Sequence, residues 1–441
     1  MAKGTYYIET YGCQMNEHDS QKMASLLEIL GLKAVSAAEV AEVFIINTCA
    51  IREKAEHKVY SALGKLKSLK AKDPEMIAVV TGCVAQQEKE RLLKRVQHLD
   101  AVLGTHRISE LPKVIRKIRQ DRNRIVEVSF SHDMDSLHIA APRKGSSAVC
   151  SYVTIMQGCS NFCSYCVVPF TRGPEQSRPA DEIVSEVQDL ASGGVREITL
   201  LGQNVNAYGK DRLDGEKFAA LLSRLDGIPD LSRIRFTTSH PRDFHDDLIA
   251  AMAQLGTVCE HIHLPLQSGS DRILHAMNRG YDLSAYLEKI RRLRERIPDV
   301  AITADIIVGF PGETEEDFGR TLSALEEIRF DQIFSFKFSP RPNTAARKLP
   351  GQIPEEIKAE RLAKVHALQD TITQEYHHAA EGSTHEVLIE GVSEKSGQPF
   401  GRTRTNKIVN LGSAEAAHVS ELIEVEIVKG LKHSLLGKRI G

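Results

Sequence analysis

Three cysteines in the run Gln157-Gly158-Cys159-Ser160-Asn161-Phe162-Cys163-Ser164-Tyr165-Cys166-Val167-Val168-Pro169 fall in a C-x3-C-x2-C spacing just past an apolar stretch. Thiolates that close in one loop can hold three irons of a four-iron cubane and leave the fourth open to a small molecule. A structural zinc site is the alternative chemistry. Zinc sites close with four ligands in paired knuckles, and no fourth Cys or His follows here at knuckle spacing. A second set is dispersed: Cys13 in Tyr11-Gly12-Cys13-Gln14-Met15-Asn16, Cys49 in Asn47-Thr48-Cys49 and Cys83 in Thr81-Gly82-Cys83. Each follows an apolar, strand-like run. In a parallel sheet the strand C-termini emerge along one edge, where such folds place ligands, so these residues converge in space. Cysteine is also a common plain core residue. Recurrence at equivalent strand ends, with glycine beside two of the cysteines, points instead to a second iron-sulfur site. Cys150 and Cys259 stand outside both sets and read as apolar residues.

The elements that must position these loops follow from periodicity. From Tyr6 to Arg119, short apolar strands alternate with helix-length segments: strands at 6–10, 43–46, 76–80 and 101–103, helices at about 17–30, 52–69, 89–95 and 108–119. That β-α-β-α order predicts a doubly wound parallel α/β domain over residues 1–125. The polar stretch ending in Ala141-Pro142-Arg143-Lys144-Gly145-Ser146-Ser147 predicts a linker, with bounds 126–147. Six further strand-like runs follow, at 152–156, 197–201, 233–237, 261–264, 301–308 and 332–337, separated by helical segments. They predict a parallel (β/α)6 partial barrel over 148–374, with function at the strand C-termini. The cysteine loop follows the first of these strands. Gly202-Gln203-Asn204, Gln267-Ser268-Gly269-Ser270 and Gly309-Phe310-Pro311-Gly312 follow others. Beyond a charged helical connector, strand runs broken by Gly and Ser predict a small antiparallel β-barrel over 375–441.

Composition bounds the partners. With 26% charged and 41% hydrophobic residues, the 441-residue chain has the make-up of a soluble globular protein of several domains. Its formal net charge of −2 offers no chain-wide attraction to nucleic acid, so an RNA partner requires local basic patches. Candidates are the run of basic residues between Arg107 and Arg124 and the cluster at Arg402, Arg404 and Lys407, where alternation sets Arg402 and Arg404 on one strand face. No secretory h-region and no long apolar span is present, so a cytoplasmic, non-membrane location is expected.

The C-x3-C-x2-C loop, with Tyr165 before its last cysteine, resembles the signature of the radical S-adenosylmethionine (SAM) enzymes. The whole arrangement, with its Cys-bearing α/β domain, radical SAM half and TRAM-like terminal barrel, resembles their methylthiotransferase family. Tyr11-Gly12-Cys13-Gln14-Met15-Asn16-Glu17, Asn47-Thr48-Cys49-Ala50-Ile51-Arg52-Glu53-Lys54-Ala55 and Leu201-Gly202-Gln203-Asn204-Val205-Asn206-Ala207-Tyr208-Gly209 look most like the MiaB-type branch, which makes 2-methylthio-N6-dimethylallyladenosine in tRNA. That resemblance implies two 4Fe-4S clusters, one on Cys159, Cys163 and Cys166 with SAM on the open iron, the other on Cys13, Cys49 and Cys83. It also implies SAM contacts among Tyr165, Gly202, Gln203 and Gln267, RNA contacts at Arg402, Arg404 and Lys407, and a tRNA substrate carrying isopentenyladenosine beside the anticodon. A small electron-donor protein and a sulfur donor complete the implied partners. The alternatives are a methylthiotransferase acting on threonylcarbamoyl-adenosine or on a ribosomal-protein aspartate, and an iron-sulfur electron carrier.

Overall fold

In the computed structural model, which describes residues 4–50, 53–131, 149–213, 215–412 and 417–440, the N-terminal strands are β1 (Thr5–Thr10), β2 (Lys33–Ala34), β3 (Val43–Thr48), β4 (Ile77–Gly82), β5 (Ala101–Leu103) and β6 (Ile125–Glu127). They form one all-parallel sheet in the order β2-β1-β3-β4-β5-β6. Every residue of β3 and β4 is buried. Strand alternation sends Phe44 and Ile46 to one face, against Val59, Leu63 and Leu66 of helix Glu53–Lys72. Val43 and Ile45 go to the other face, against Met23 and Leu27 of helix Gln14–Ile29 and Ile115 and Ile118 of helix Leu111–Asp121. The strand order reverses between β1 and β3, a switch point at which doubly wound folds open a crevice.

The periodicity reading missed β2, β6 and the one-and-a-half-turn helix Cys83–Glu88, all too short to show a repeat. Strand β6 pairs with β5, so residues 125–127 belong to the sheet and the expected linker begins later. Most of that linker, residues 132–147, lies outside the described residues.

The central strands are β7 (Cys150–Thr154), the short antiparallel hairpin β8 (Met156–Gln157) and β9 (Gln176–Ser177), then β10 (Glu197–Leu201), β11 (Arg233–Phe236), β12 (His261–His263), β13 (Ala301–Val308) and β14 (Gln332–Lys337). Parallel pairing runs β7-β10-β11 and β12-β13-β14, and a parallel bridge from Ile234 to Val258 brings the two halves together. One continuous apolar core lies between these strands and helices such as Ala180–Ser192, Phe218–Asp226 and Glu315–Ile328. This is the six-fold partial barrel, with its cysteine loop at the C-terminal edge. Among the described residues, no helix is long and apolar enough to cross a membrane.

Strands β15 (Thr384–Val392), β16 (Pro399–Thr403), β17 (Ile408–Leu411), β18 (Leu422–Gly430) and β19 (Leu435–Arg439) close a barrel in the order β15-β16-β17-β19-β18. All of its pairings are antiparallel except β17 with β19, which is parallel. The barrel docks under the N-terminal edge of the central strands, opposite the cysteine loop. Arg233 at the start of β11 is fully buried there, donating to the Arg402 and Glu386 carbonyls at 2.7 and 3.0 Å and to the Glu386 carboxylate at 2.7 Å. Arg235 donates to the carbonyls of Thr403 and Arg404 at 2.7 and 2.8 Å.

This docking gives partners to the residues expected to form a phosphate face. Arg404 forks onto Glu260 at 2.7 and 2.8 Å, Lys407 reaches Asp331 at 2.7 Å, and Arg402 holds Glu390 at 3.0 Å. All these cations are engaged by carboxylates, two of them across the domain boundary. A charge so paired is a poor partner for a solvated phosphate.

Candidate functional site

At the switch point of the N-terminal sheet, the loops after β1, β3 and β4 are tied to one another. Cys13 is the N-cap of helix Gln14–Ile29, and its carbonyl accepts from the N–H groups of Asn16 and Glu17 at 2.9 and 3.1 Å. Asn16 donates to the Asn47 side chain at 3.0 Å and to the Thr48 carbonyl at 3.1 Å, while Asn47 donates back to the Asn16 carbonyl at 2.8 Å. The loop of Cys13 is thereby fixed to the strand end that carries Cys49. Gly82, with φ 89°, packs so tightly on that same strand end that an added Cβ would lie 2.3 Å from the Thr48 carbonyl oxygen. Cys49 and Cys83 are buried. The Cys13 thiol is pulled down to about 6, foremost by a hydrogen bond with Cys49, then by the Arg172 cation and the N–H groups of Asn16 and Met15. A thiolate-favouring pocket of converging sulfurs suits a metal cluster.

On the central domain, Cys159 donates its N–H to the Gly173 carbonyl at 3.1 Å, and the Cys166 N–H returns to the Cys163 carbonyl at 2.9 Å, curling the loop around its sulfurs. Burial pushes Cys159 up to about 11. Burial, then the neighbouring Cys163 charge, pushes Cys166 up to about 12. Sulfurs that raise each other's proton affinity lie close together and ionise when a cationic core binds them. Arg279, fully buried among aromatic rings, points Nη1 at the Cys163 sulfur (3.4 Å) and at the Tyr165 hydroxyl (3.4 Å).

The expected cofactor contacts fall into different positions. Gln203 accepts the Gly158 N–H and so clamps the residue preceding Cys159. Gly202 makes room for Met156, whose Cγ would be 2.6 Å from an added Cβ. Tyr165 packs beside Ile273, Met277 and Phe310. Gln267 has φ 73°, outside ordinary L-residue space, and its buried Oε1 has no partner in the protein. It shares that condition with Gln157 Nε2, Asn161 Nδ2, Asn204 Oδ1 and Ser239 Oγ. These buried polar atoms follow β8, β10, β11 and β12 around one rim, beside the cysteine loop. Orphaned donors and acceptors of this kind fit a zwitterionic, hydrogen-bonding ligand.

The two cysteine sites meet. Ala50, Cys83 and Val84 pack with Val167, the residue after Cys166, in one buried cluster. Around that apolar seam the domains exchange buried hydrogen bonds: Thr105 to the Thr171 carbonyl at 2.6 Å, His106 with the Arg172 carbonyl at 2.8 Å, His18 with Thr154 at 2.6 Å, and Arg172 to Asp19 at 2.8 Å. Sequence reasoning placed Asn161 in the cysteine loop and Asn204 in a strand-end loop of the rim, and it missed Arg279 and Arg172. Arg172 lies six residues past Cys166, which is the one local signal available for it.

Three family patterns match in order: the Uncharacterized protein family UPF0004 over residues 5–104, the Radical SAM superfamily over 153–325 and the TRAM domain over 379–440. Solved structures with the same fold include the radical S-adenosylmethionine methyltransferase TsrM from Kitasatospora setae, at TM-score 0.59 and 12% identity over 78% of this chain and 74% of that one. The cobalamin-dependent S-adenosylmethionine radical enzyme OxsB aligns at TM-score 0.51 and 11% identity over 84% of this chain and 57% of its own. Fold and cysteine loop together define a radical SAM protein carrying a second three-cysteine site. Full-length relatives include a tRNA-2-methylthio-N(6)-dimethylallyladenosine synthase of Carboxydothermus hydrogenoformans, 46% identical over 99% of both chains. Another, of Geobacter metallireducens, is 49% identical over 98% of this chain and 97% of its own. The chain belongs to the tRNA-2-methylthio-N(6)-dimethylallyladenosine synthase family.

Proposed function

We propose that this protein is a radical SAM methylthiotransferase that adds a methylthio group to carbon 2 of N6-isopentenyladenosine next to the anticodon of tRNA, giving 2-methylthio-N6-dimethylallyladenosine. The observation that carries the reading is the meeting of two three-cysteine sites across one buried seam. Cys159, Cys163 and Cys166 would hold one 4Fe-4S cluster, and Cys13, Cys49 and Cys83 the other. Carbon 2 of adenine bears an unactivated aromatic C–H, and the bound clusters with SAM supply the radical chemistry and the methylated sulfur that such a carbon requires.

The protein's own groups do the rest. Gln267, Asn204, Ser239, Gln157 and Asn161 offer the unpaired polar atoms for SAM. Gln203 and Gly202 act on the loop that presents the cluster rather than on SAM, and Tyr165 walls the site. The Arg279 guanidinium, 3.4 Å from the Cys163 sulfur, donates a hydrogen bond to that ligand and orients it. The apolar contact of Ala50, Val84 and Val167 keeps the space between the sites dry, which protects a reactive intermediate.

A small electron-donor protein and a sulfur donor serve the reaction in the cytoplasm. The terminal barrel anchors RNA with cations other than Arg402, Arg404 and Lys407. Lys429 and Lys438, both exposed on β18 and β19, are the proposed contacts. The test is anaerobic reconstitution followed by mass spectrometry of nucleosides from isopentenylated tRNA incubated with SAM and dithionite. The methylthio nucleoside is expected, with about eight irons per chain. SAM cleavage without that product, on tRNA shown to carry the isopentenyl group, overturns the substrate assignment.

A further inference from the structure

Arg172 comes from the central domain but lies at the N-terminal cysteine site. It is 2% exposed, and the segment that carries it is pinned to the N-terminal domain by Thr105 and His106, which bond the carbonyls of Thr171 and Arg172 at 2.6 and 2.8 Å. Its Nη2 is fixed by Asp19 at 2.8 Å, on the helix that Cys13 caps. Its Nη1 is buried and has no partner in the protein. Burial opposes the charge of this guanidinium while Asp19, then Cys83 and Cys13, favour it, and Val167, five residues earlier, shares one buried cluster with Cys83 and Val84. A buried cation with one donor fixed and the other idle costs free energy unless an anion completes it. The neighbourhood is already cationic, since Arg178 and the buried Lys22 also act on the His18 ring nearby. A three-thiolate iron-sulfur cluster carries net negative charge, which answers that excess.

We infer that Arg172 donates a charge-assisted hydrogen bond, through Nη1, to an anionic sulfur at the N-terminal cluster, so that the central domain contributes a residue to the sulfur-handling site. This rests on the function proposed above. The sulfur is either a sulfide of the cluster or a thiolate bound to its open iron. Both are soft anions that a guanidinium can meet.

The test uses the full chain with Cys159, Cys163 and Cys166 replaced by Ala, so that one cluster is observed. The parent of this background must load about four irons. If it does not, the two-cluster reading fails and Arg172 is not at issue. In Arg172→Gln the reduction potential is expected to move to more negative values, because reduction adds negative charge beside a lost cation. The apparent dissociation constant for sodium methanethiolate, read from the EPR spectrum, is expected to rise roughly ten- to hundred-fold, the worth of one hydrogen bond to a charged group. Both changes together place the contact on the open-iron thiolate, and a potential shift alone places it on a cluster sulfide. An unchanged potential with unchanged methanethiolate affinity overturns the inference. A second measurement needs no substitution at this position. With 15N-arginine incorporated, the reduced cluster is expected to show a nitrogen hyperfine coupling in pulsed EPR, and its absence overturns the inference even if the glutamine variant fails to load iron.

Discussion

Replacing Gly82 by alanine tests the geometry of the N-terminal site with one methyl group. Gly82 sits at φ 89°, ψ −160°, a region essentially reserved for glycine, where another residue costs about 1–3 kcal/mol. The new Cβ would be 2.3 Å from the Thr48 oxygen and 2.8 Å from the Thr48 nitrogen. A carbon approaches a carbonyl oxygen no closer than about 3.3 Å, so the ends of β3 and β4 must part by about 1 Å. Those ends carry Cys49 and Cys83, and ligand atoms at a metal site tolerate displacements of only about 0.2 Å. Gly82→Ala is therefore expected to lose the N-terminal cluster while the sheet stays folded, taking the iron content from about eight to about four per chain. Uncoupled SAM cleavage by the central site should persist and methylthiolation should vanish. The matched control is Gly319→Ala in helix Glu315–Ile328, where an added Cβ meets nothing within 4 Å and helix propensity favours alanine by about 1 kcal/mol. A Gly82→Ala protein with full iron content and normal product would refute the reasoning that the clamp on Thr48 sets the distance between Cys49 and Cys83.

Replacing Cys159, Cys163 and Cys166 together by Ala should leave about four irons and abolish SAM cleavage; an iron count equal to the parent's would contradict the assignment. Arg233→Ala strips the Glu386 carboxylate and the Glu386 and Arg402 carbonyls of their partner and should loosen the barrel by about 3 kcal/mol, the low end for a broken buried pair because the Glu386 side chain is partly open. Limited proteolysis near residues 380–383 should then accelerate. Asp317, although burial opposes its charge, is held below the usual carboxylate range by hydrogen bonds from Arg272, Ser270 and Thr314. Its stabilisation is thus present above the unfolded value near pH 4 and lost as pH falls through the folded one, so urea midpoints of cluster-free Asp317→Asn should lie below the parent's at pH 7 and converge with it in acid. Finally, Arg402→Ala with Arg404→Ala should leave the salt dependence of tRNA binding unchanged, because cations already paired with carboxylates release no counterions; a slope flattened by roughly 0.7–0.9 per residue would restore them as phosphate contacts.

What the sequence disclosed depends on how local each cause is. The cysteine sites were legible because strand-end logic is topological: once β1, β3 and β4 are parallel neighbours, the residue after each must lie on one edge. Glycines at 82 and 158 were visible beside their cysteines for the same reason, although only the structure shows what they are pressed against. Arg233 and Arg235 were hidden. In Arg-Ile-Arg-Phe, alternation reads as a strand with one polar face in water, yet that face is buried against a barrel whose partner carbonyls lie 153, 168 or 169 residues away. The partners of the basic cluster at Arg402, Arg404 and Lys407 were hidden for the matching reason: the carboxylates engaging Arg404 and Lys407 are 144 and 76 residues distant. Gln203 reads as a ligand contact because an amide at a strand end suits one, and only the structure shows that its Oε1 accepts the backbone N–H of Gly158.

The position of the barrel constrains how RNA can meet the chemistry. Its contacts are to Arg233, Glu260 and Asp331, all at or just before strand starts, whereas the cysteine loop and the orphaned polar atoms follow strand ends. The two edges are separated by the length of the strands, from about 13 Å for the four residues of β11 to about 26 Å for the eight of β13 at about 3.3 Å each. A single nucleotide cannot touch both, so an RNA held by the barrel must run along the outside of the central domain before its target base turns inward. A base that is to react must also leave its stack, and unstacking is cheapest in a loop. A stem gripped at one edge and a loop offered at the other satisfies both requirements.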